Sequence, residues 1–436
     1  MNTSSSDTTS SDTTGRTWTR RNVLGYGAAA VATANLHHLF AGPSASAEES
    51  SGGVEVQLSG LTVRLAKPRW VVERDHEWDH GQCLFPDLLR FSTGELMLNH
   101  SLNRDSNENA HNSQAVYLSF DEGKTFNFSY DVNGFHNSGG EPRVALPDGR
   151  IVGTSTFLKP EPPDQARRFV AHRWTYDQGG RRYQVEPWSV VVEGLPRDVR
   201  KWSKPSRTWW SHINWFSDIV PLDNSQTGKG RWISTISLRF DGDKLESTVA
   251  VASDDEGRHW QYLATIANQD SVPDAEEGFD EPCLLQLADG DLMCVSRVGG
   301  AGAHQKLART YSADGGQTWS AIDRLPAYAV APQMVRTSSG VLALSTGRPG
   351  LFLWLADDPR GTNWQMIDVM AHHNAVLPPE ETMHAGSTTA YTALVLMPDD
   401  RIMLVYDRRP VDQNSVPAGS LLSNRDYMLE IEIRRT

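Results

Sequence analysis

From about residue 83 onward, short apolar runs alternate with turns rich in Gly, Asp, Asn and Ser, and no stretch keeps a helical period. The pattern is that of short strands. It is fullest between Glu277 and Trp319. There Cys283 to Leu287 is apolar, Asp289-Gly290 offers a two-residue hairpin turn, and Leu292 to Val298 returns, since Asp-Gly tolerates the positive φ such turns need. A third strand, Lys306 to Tyr311, runs into a turn that reads SADGGQTW from Ser312 to Trp319. In that turn Asp314 is placed to accept bonds from nearby amides, Gly316 to take a positive φ, and Trp319 to plug the gap between strands.

The turn recurs. Intact copies run from Ser119 to Phe126 and from Ser253 to Trp260, and degenerate ones centre on Asp177 and Asp358. The aspartates at 121, 177, 255, 314 and 358 are 56, 78, 59 and 44 residues apart, room for one four-stranded sheet per repeat. A strand–turn–strand unit keeps pace with it: Leu84 to Asn99, Pro142 to Thr154, Ile213 to Leu238, Cys283 to Arg297, Gln333 to Thr346 and Tyr391 to Tyr406. Six such units predict an all-β fold, a six-bladed β-propeller. Its ring is expected to close through the last strand, Tyr427 to Arg434, or an early one, Val54 to Leu65. The repeated turns build blades; they identify a fold and not an activity.

The N-terminus is of another kind. A Ser/Thr-rich lead is followed by Thr19-Arg20-Arg21-Asn22-Val23-Leu24, a small-residue apolar run and Ala45-Ser46-Ala47, the pattern of a twin-arginine export signal with its cleavage site. Residues 1–47 are therefore read as a signal peptide, 48–69 as an N-terminal segment that can supply the closing strand, and 70–436 as the propeller, secreted or otherwise extracytoplasmic. The whole chain carries −13; the signal contributes +1 from three arginines and two aspartates, so the remainder carries −14. That balance argues against nucleic acid and anionic membrane as partners. No later apolar stretch is long enough to span a bilayer, and a monomer is the expected state. Cys83, Cys283 and Cys294 are too few for a disulfide framework; Cys283 and Cys294 flank one hairpin and are either paired or buried free thiols. Neither cysteine spacing nor histidine placement forms a zinc pattern, and no cofactor is expected.

Three intact S-x-D-x-G-x-T-W turns on six strand units resemble the Asp boxes of the sialidase superfamily, a six-bladed propeller, over residues 70–436. The resemblance implies a glycoside hydrolase acting at glycan chain ends. It places the tyrosine nucleophile at Tyr391, in Ala390-Tyr391-Thr392-Ala393-Leu394, and its partner carboxylate at Glu281, in Asp280-Glu281-Pro282. A free tyrosine titrates near about 10, so it needs a carboxylate within reach to act as a nucleophile at neutral pH. Arg297 and Arg348 match two of the three arginines with which the family holds a substrate carboxylate. The third is missing: its strand reads Cys83-Leu84-Phe85-Pro86, and Leu84 cannot bind a carboxylate. Each such charge-assisted bond is worth about 1.5–3 kcal/mol, so sialic acid would be held less well.

The family's general acid falls in the segment 104–111, where Asp105, Glu108 and His111 are candidates for the proton donor. Further candidates near the strand ends are His80, Asp87, His100, Glu141, Arg143, Asp218 and His384, with Glu141 and Arg143 taken as substrate-binding. Trp209, Trp210 and Trp215 suit either a sugar-stacking wall or the core. Three functions stay open. One is an exo-acting glycosidase, with sialic acid as one possible terminal sugar. The second is a glycosidase or lyase on arabinose-, rhamnose- or uronate-containing polysaccharide. The third is a noncatalytic carbohydrate-binding propeller.

Overall fold

The structure, a computed structural model, describes residues 53–75, 83–102, 113–133, 142–156, 158–161, 166–200, 213–222, 230–271, 278–299, 306–328, 330–348, 350–409 and 423–436. They form six antiparallel blades. Blade 1 comprises Leu84–Arg90, Leu96–Ser101, Ser113–Ser119 and Asn127–Asn133. Blade 2 begins at Arg143–Ala145 and ends with the long strand Arg182–Glu193. Blade 3 is built on Arg231–Leu238, Ser247–Ser253 and His259–Ala267, and its last strand pairs in parallel with the last strand of blade 2, Val191 against His259. Blades 4 and 5 are four-stranded, opening with Phe279–Gln286 and Val330–Arg336. Within blades the hairpins follow the expected Thr93-Gly94, Asp148-Gly149, Asp289-Gly290 and Ser339-Gly340 turns, all four glycines having positive φ.

The ring closes as expected, by early strands completing the last blade, and it differs from the expectation in one detail. Val54 to Leu65 is not one strand but a hairpin, Val54–Leu58 paired with Leu61–Leu65 across Ser59-Gly60. The last strand, Ser423–Arg435, is the third strand of blade 6. Its first half pairs with Arg69–Asp75 and its second half with Leu61–Leu65. The chain's first strands thus complete its last blade, Leu61–Leu65 being the closing strand drawn from the N-terminal segment. A long strand shared by two partners leaves less unpaired edge than a single closing strand would.

The intact turns are built as their residues require. Ser312 Oγ donates to Asp314 Oδ1 at 2.8 Å and accepts from Gly316 N at 2.9 Å, while Thr318 N reaches Asp314 Oδ1 at 2.9 Å. Trp319 closes the turn by donating to the Gly316 carbonyl at 3.1 Å. Gly316 is required twice over: its φ is +89°, and a Cβ there would stand 2.2 Å from Ile233 of blade 3. Ser119 with Asp121, and Ser253 with Asp255, repeat the arrangement. Asp358 captures Thr362 N without the serine, but Asp177 makes none of these bonds and lies 3.6 Å from Arg182. The core lies between blades, one cluster joining blades 4 and 5 through Met293, Leu307, Met334 and Leu344. Trp215 is wholly buried, donating to Ser234 Oγ at 2.8 Å and meeting Trp260 edge-on, so it is core and not a sugar wall.

One local expectation is corrected and one open alternative is decided. Among the described residues one α-helix is present, Val369–Val376, capped by Asp368, which accepts from Ala371 N; its weak apolar periodicity hid it. Cys283 and Cys294 are free and buried, because Cys294 sits opposite Leu284 rather than Cys283. No helix among the described residues is long and apolar enough to cross a membrane.

Candidate active site

The inner strands of blades 1, 4 and 5 open on the same irregularity. In blade 4, Asp280 pairs with Arg297 and the next pair is Cys283 with Val295, so one residue is extra and Glu281 bulges out with φ +43°. Blade 1 does the same between Leu84 and Asp87, with Phe85 at φ +55°, and blade 5 between Val330 and Gln333, with Ala331 at φ +38°. Each bulge residue precedes a proline, Pro86, Pro282 or Pro332. Proline has no N–H to place in the ladder, which suits a bulge, and the bulge re-aims the side chain before it.

Glu281 is thereby presented, buried, to three donors. Its Oε1 accepts from Arg297 Nη1 at 3.0 Å and from the Tyr391 hydroxyl, and its Oε2 accepts from Ala331 N at 2.7 Å. The bulge of blade 5 thus holds the carboxylate that the bulge of blade 4 projects. The Glu281 carboxylate is 6 % exposed and the Arg297 side chain 22 %, so the cation is the more accessible of the two.

Tyr391 is held from behind. The buried Asp407 carboxylate accepts from Thr388 Oγ1 at 2.9 Å, Thr389 Oγ1 at 2.7 Å and Thr389 N at 2.9 Å, fixing the turn through Ala390, whose φ is +65°. Blade 5 presses on the same turn. A Cβ on Gly347 would lie 2.1 Å from the Ala390 carbonyl, so only glycine fits, and Arg348 Nη2 donates to the Thr389 carbonyl at 3.2 Å. Phe85 closes the other side, its ring 4.8 Å from that of Tyr391 at 77°. Leu84 is fully buried, so neither residue of blade 1 supplies a cation here.

The electrostatics keep the phenol protonated at rest. Burial first, and then the negative charge of Glu281, push the Tyr391 hydroxyl well above its usual range, with Arg297 and Arg348 pulling the other way. Burial and the neighbouring Glu281 push Asp280 up to about 6, and burial does the same for Asp407 against the opposing pull of Arg409. The arrangement provides an oxygen nucleophile, a base bonded to it, and two guanidiniums near both.

Four sequence candidates therefore meet: Tyr391, Glu281, Arg297 and Arg348. Arg143 does not join them. It is engaged with Asp87, Nη2 to Oδ1 at 2.6 Å and Nη1 to Oδ2, and stands 3.8 Å from Asp218. Its guanidinium is thus held by a carboxylate of blade 1. With Asp218 it lines a cavity of about 290 Å³ among the inner strands of blades 1, 2, 3 and 6. His100 is buried against Asp426, and His384 is exposed, accepting from Gly386 N. Asp105, Glu108, His111, Glu141, His80, Trp209 and Trp210 lie outside the described residues. Reading the sequence missed Phe85, Asp407 and the Ala331 amide. The repeated X-Pro at the inner-strand starts was the available signal for the first and third.

The fold agrees with what the chain is similar to. The model of a BNR repeat-like domain matches residues 189–404. Residues 189–404 are thus similar to BNR repeats, and they lie within a β-propeller. A Dyadobacter fermentans protein of unknown function is 18% identical, with 86% of this chain and all of that one aligned at a TM-score of 0.61. A Penicillium chrysogenum alpha-L-arabinanase, solved with arabinobiose, is 15% identical over 83% of this chain and 98% of its own, at 0.54. A Hadza microbial sialidase is 15% identical over 82% of this chain and 68% of its own, at 0.53. At such identities the likeness of the propeller to these structures is one of fold. No curated protein matches the chain in sequence.

Proposed function

We propose that the chain is an exported, exo-acting glycoside hydrolase that retains configuration and works through Tyr391 and Glu281. The observation that carries the reading is the hydrogen bond from the Tyr391 hydroxyl to Glu281 Oε1, with Arg297 on the same oxygen. As the Tyr391 oxygen attacks the anomeric carbon, its proton passes to Glu281 and the bond to the aglycone oxygen breaks. The departing oxygen takes a proton from a general acid, for which Asp105, Glu108 and His111 remain the candidates. Water then attacks the anomeric carbon and gives its proton to the deprotonated general acid, the bond to Tyr391 breaks, and the proton on Glu281 returns to the departing Tyr391 oxygen.

A terminal sugar without a carboxylate, of the arabinose type, fits this site best. Leu84 is buried, Phe85 occupies the axis beside the nucleophile, and Arg297 is already bonded to Glu281. Arabinanase activity in a protein of similar fold supports the same choice. A sialoside is the second reading, favoured by the two guanidiniums, Arg297 and Arg348, beside Tyr391. The test is aryl-glycoside hydrolysis by the purified chain. Release from an aryl α-L-arabinofuranoside but not an aryl α-sialoside, abolished in Tyr391→Phe, is expected. The reverse preference would establish the second reading, and binding of glycans with no turnover of either would replace both with a carbohydrate-binding propeller.

Export by residues 1–47 belongs to the same proposal, resting on the Arg20-Arg21 pattern. Replacing both arginines with lysine is expected to keep the protein inside the cell, and undiminished secretion would remove this part of the reading.

A further inference from the structure

Away from the Tyr391–Glu281 site, at the seam where blade 1 meets the last strand of blade 6, the fold brings together a thiol, an imidazole and a carboxylate. Cys83 starts the inner strand of blade 1, His100 lies on its second strand, and Asp426 lies on Ser423–Arg435, 326 residues further on. Their side chains are fully buried, and one donor atom from each lies within 4.8 Å of the other two. Tertiary structure makes this group; no local spacing in the sequence does.

Two atoms of the group are left over. His100 Nδ1 and Asp426 Oδ2 are 2.5 Å apart, which uses one end of each. The other ends, His100 Nε2 and Asp426 Oδ1, are buried and have no hydrogen-bond partner among the described residues. An unmet buried polar atom destabilises a fold, and here two occur in one pair. Cys83 Sγ makes a long contact of 3.7 Å with the Asn424 carbonyl.

We propose that Cys83, His100 and Asp426 form a structural site for a divalent transition metal of the zinc class. The chemistry of the donors selects it: one thiolate, one imidazole and one carboxylate suit a borderline-soft cation and not calcium or magnesium, which take oxygen ligands. Donor atoms around tetrahedral zinc stand roughly 3.3–3.8 Å apart, given bonds of about 2.0–2.3 Å, so the group closes on an ion by small side-chain rotations. Binding a metal through Cys83 releases the thiol proton. The ion ties the first blade to the strand that closes the ring, so its role is stability and not chemistry on a sugar.

The test is cobalt(II) binding to the purified full-length chain after chelator treatment, followed by the near-ultraviolet thiolate-to-cobalt absorption band. One equivalent of cobalt with that band, competed by zinc and accompanied by a rise in melting temperature, is expected. The band should vanish in Cys83→Ser and persist in Cys283→Ser combined with Cys294→Ser. Where Cys83→Ser does not fold, anomalous scattering from crystals of the cobalt-loaded wild type must place the ion among Cys83, His100 and Asp426. No saturable band in the folded wild type, a band that follows Cys283 or Cys294, or an ion located elsewhere would overturn the proposal.

Discussion

Blades 1 and 4 open with the same backbone and end in opposite chemistry. Both bulge one residue before a proline, at Phe85-Pro86 and Glu281-Pro282, and both bulge residues face Tyr391. In blade 4 the bulge position carries a buried carboxylate with three donors around it; in blade 1 it carries a phenyl ring packed edge-on against the same tyrosine. The repeat supplies the position and the residue at the bulge decides what is done there. A propeller of this kind is a ring of equivalent pedestals, and its specificity lies in which of them hold charge.

The largest break in that comparison comes from blade 4. Glu281→Gln and Tyr391→Phe are each expected to lower kcat/KM at least 10³-fold, about 4 kcal/mol of transition-state stabilisation, with little change in melting temperature for Tyr391→Phe. Combining them should cost little more than either alone, because the two act as a unit. A double-mutant cycle on an activated aryl glycoside checks this.

The matching change in blade 1 should be milder. Phe85→Ala is expected to lower kcat/KM about tenfold and to destabilise the protein by about 1–3 kcal/mol, since it removes an aromatic contact on the nucleophile and not a reacting group. Equal losses from Phe85→Ala and Glu281→Gln would mean that blade 1 does more than pack.

Asp280, beside the blade 4 bulge, sharpens the comparison through pH. Its folded value of about 6 is above the ordinary value of 3.8, so the folded state binds its proton more tightly than the unfolded chain. The stabilisation this gives is complete below about pH 4 and is lost as pH rises through 6. Asp280→Asn keeps the oxygen that accepts from Glu281 N and removes the charge. It should make the protein more stable than wild type at pH 8, by roughly 1–2 kcal/mol, and bring the two together near pH 4. Denaturant midpoints at both pH values decide it.

The smallest effect belongs to the rim. Asp314→Ala should cost about 1–2 kcal/mol of stability and leave kcat unchanged, because its bonds hold a turn between outer strands. Hydrogen bonds from Thr318 keep Asp314 near 2, so this contribution is present above about pH 4 and is lost as pH falls through 2. Urea melts together with initial rates measure both halves.

What could be read from the sequence follows the same divide between local and distant. The Asp boxes and the Gly turns are local, each complete within eight residues, so six blades could be counted from spacing alone. Tyr391, Glu281, Arg297 and Arg348 were legible because a motif surrounds each. Other features depend on pairings that spacing does not encode. Arg143 looked free until Asp87, on another blade, took its guanidinium. Leu84 was rightly seen to lack charge, but a bulge advances the exposed position by one residue and puts Phe85 beside Tyr391. Val54 to Leu65 read as one apolar strand because the Ser59-Gly60 turn is only two residues long. The Cys83, His100 and Asp426 group spans nearly the whole chain and left no local trace.

The account stands most directly on covalent chemistry at Tyr391. A 2-deoxy-2-fluoro glycosyl fluoride of the sugar that the enzyme releases should trap the intermediate, and mass spectrometry of the digested protein should then find one sugar on the peptide containing Tyr391. The same adduct should be missing from Tyr391→Phe. A sugar carried on Glu281 instead, or full turnover by Tyr391→Phe with no adduct, would contradict the assignment of nucleophile and base.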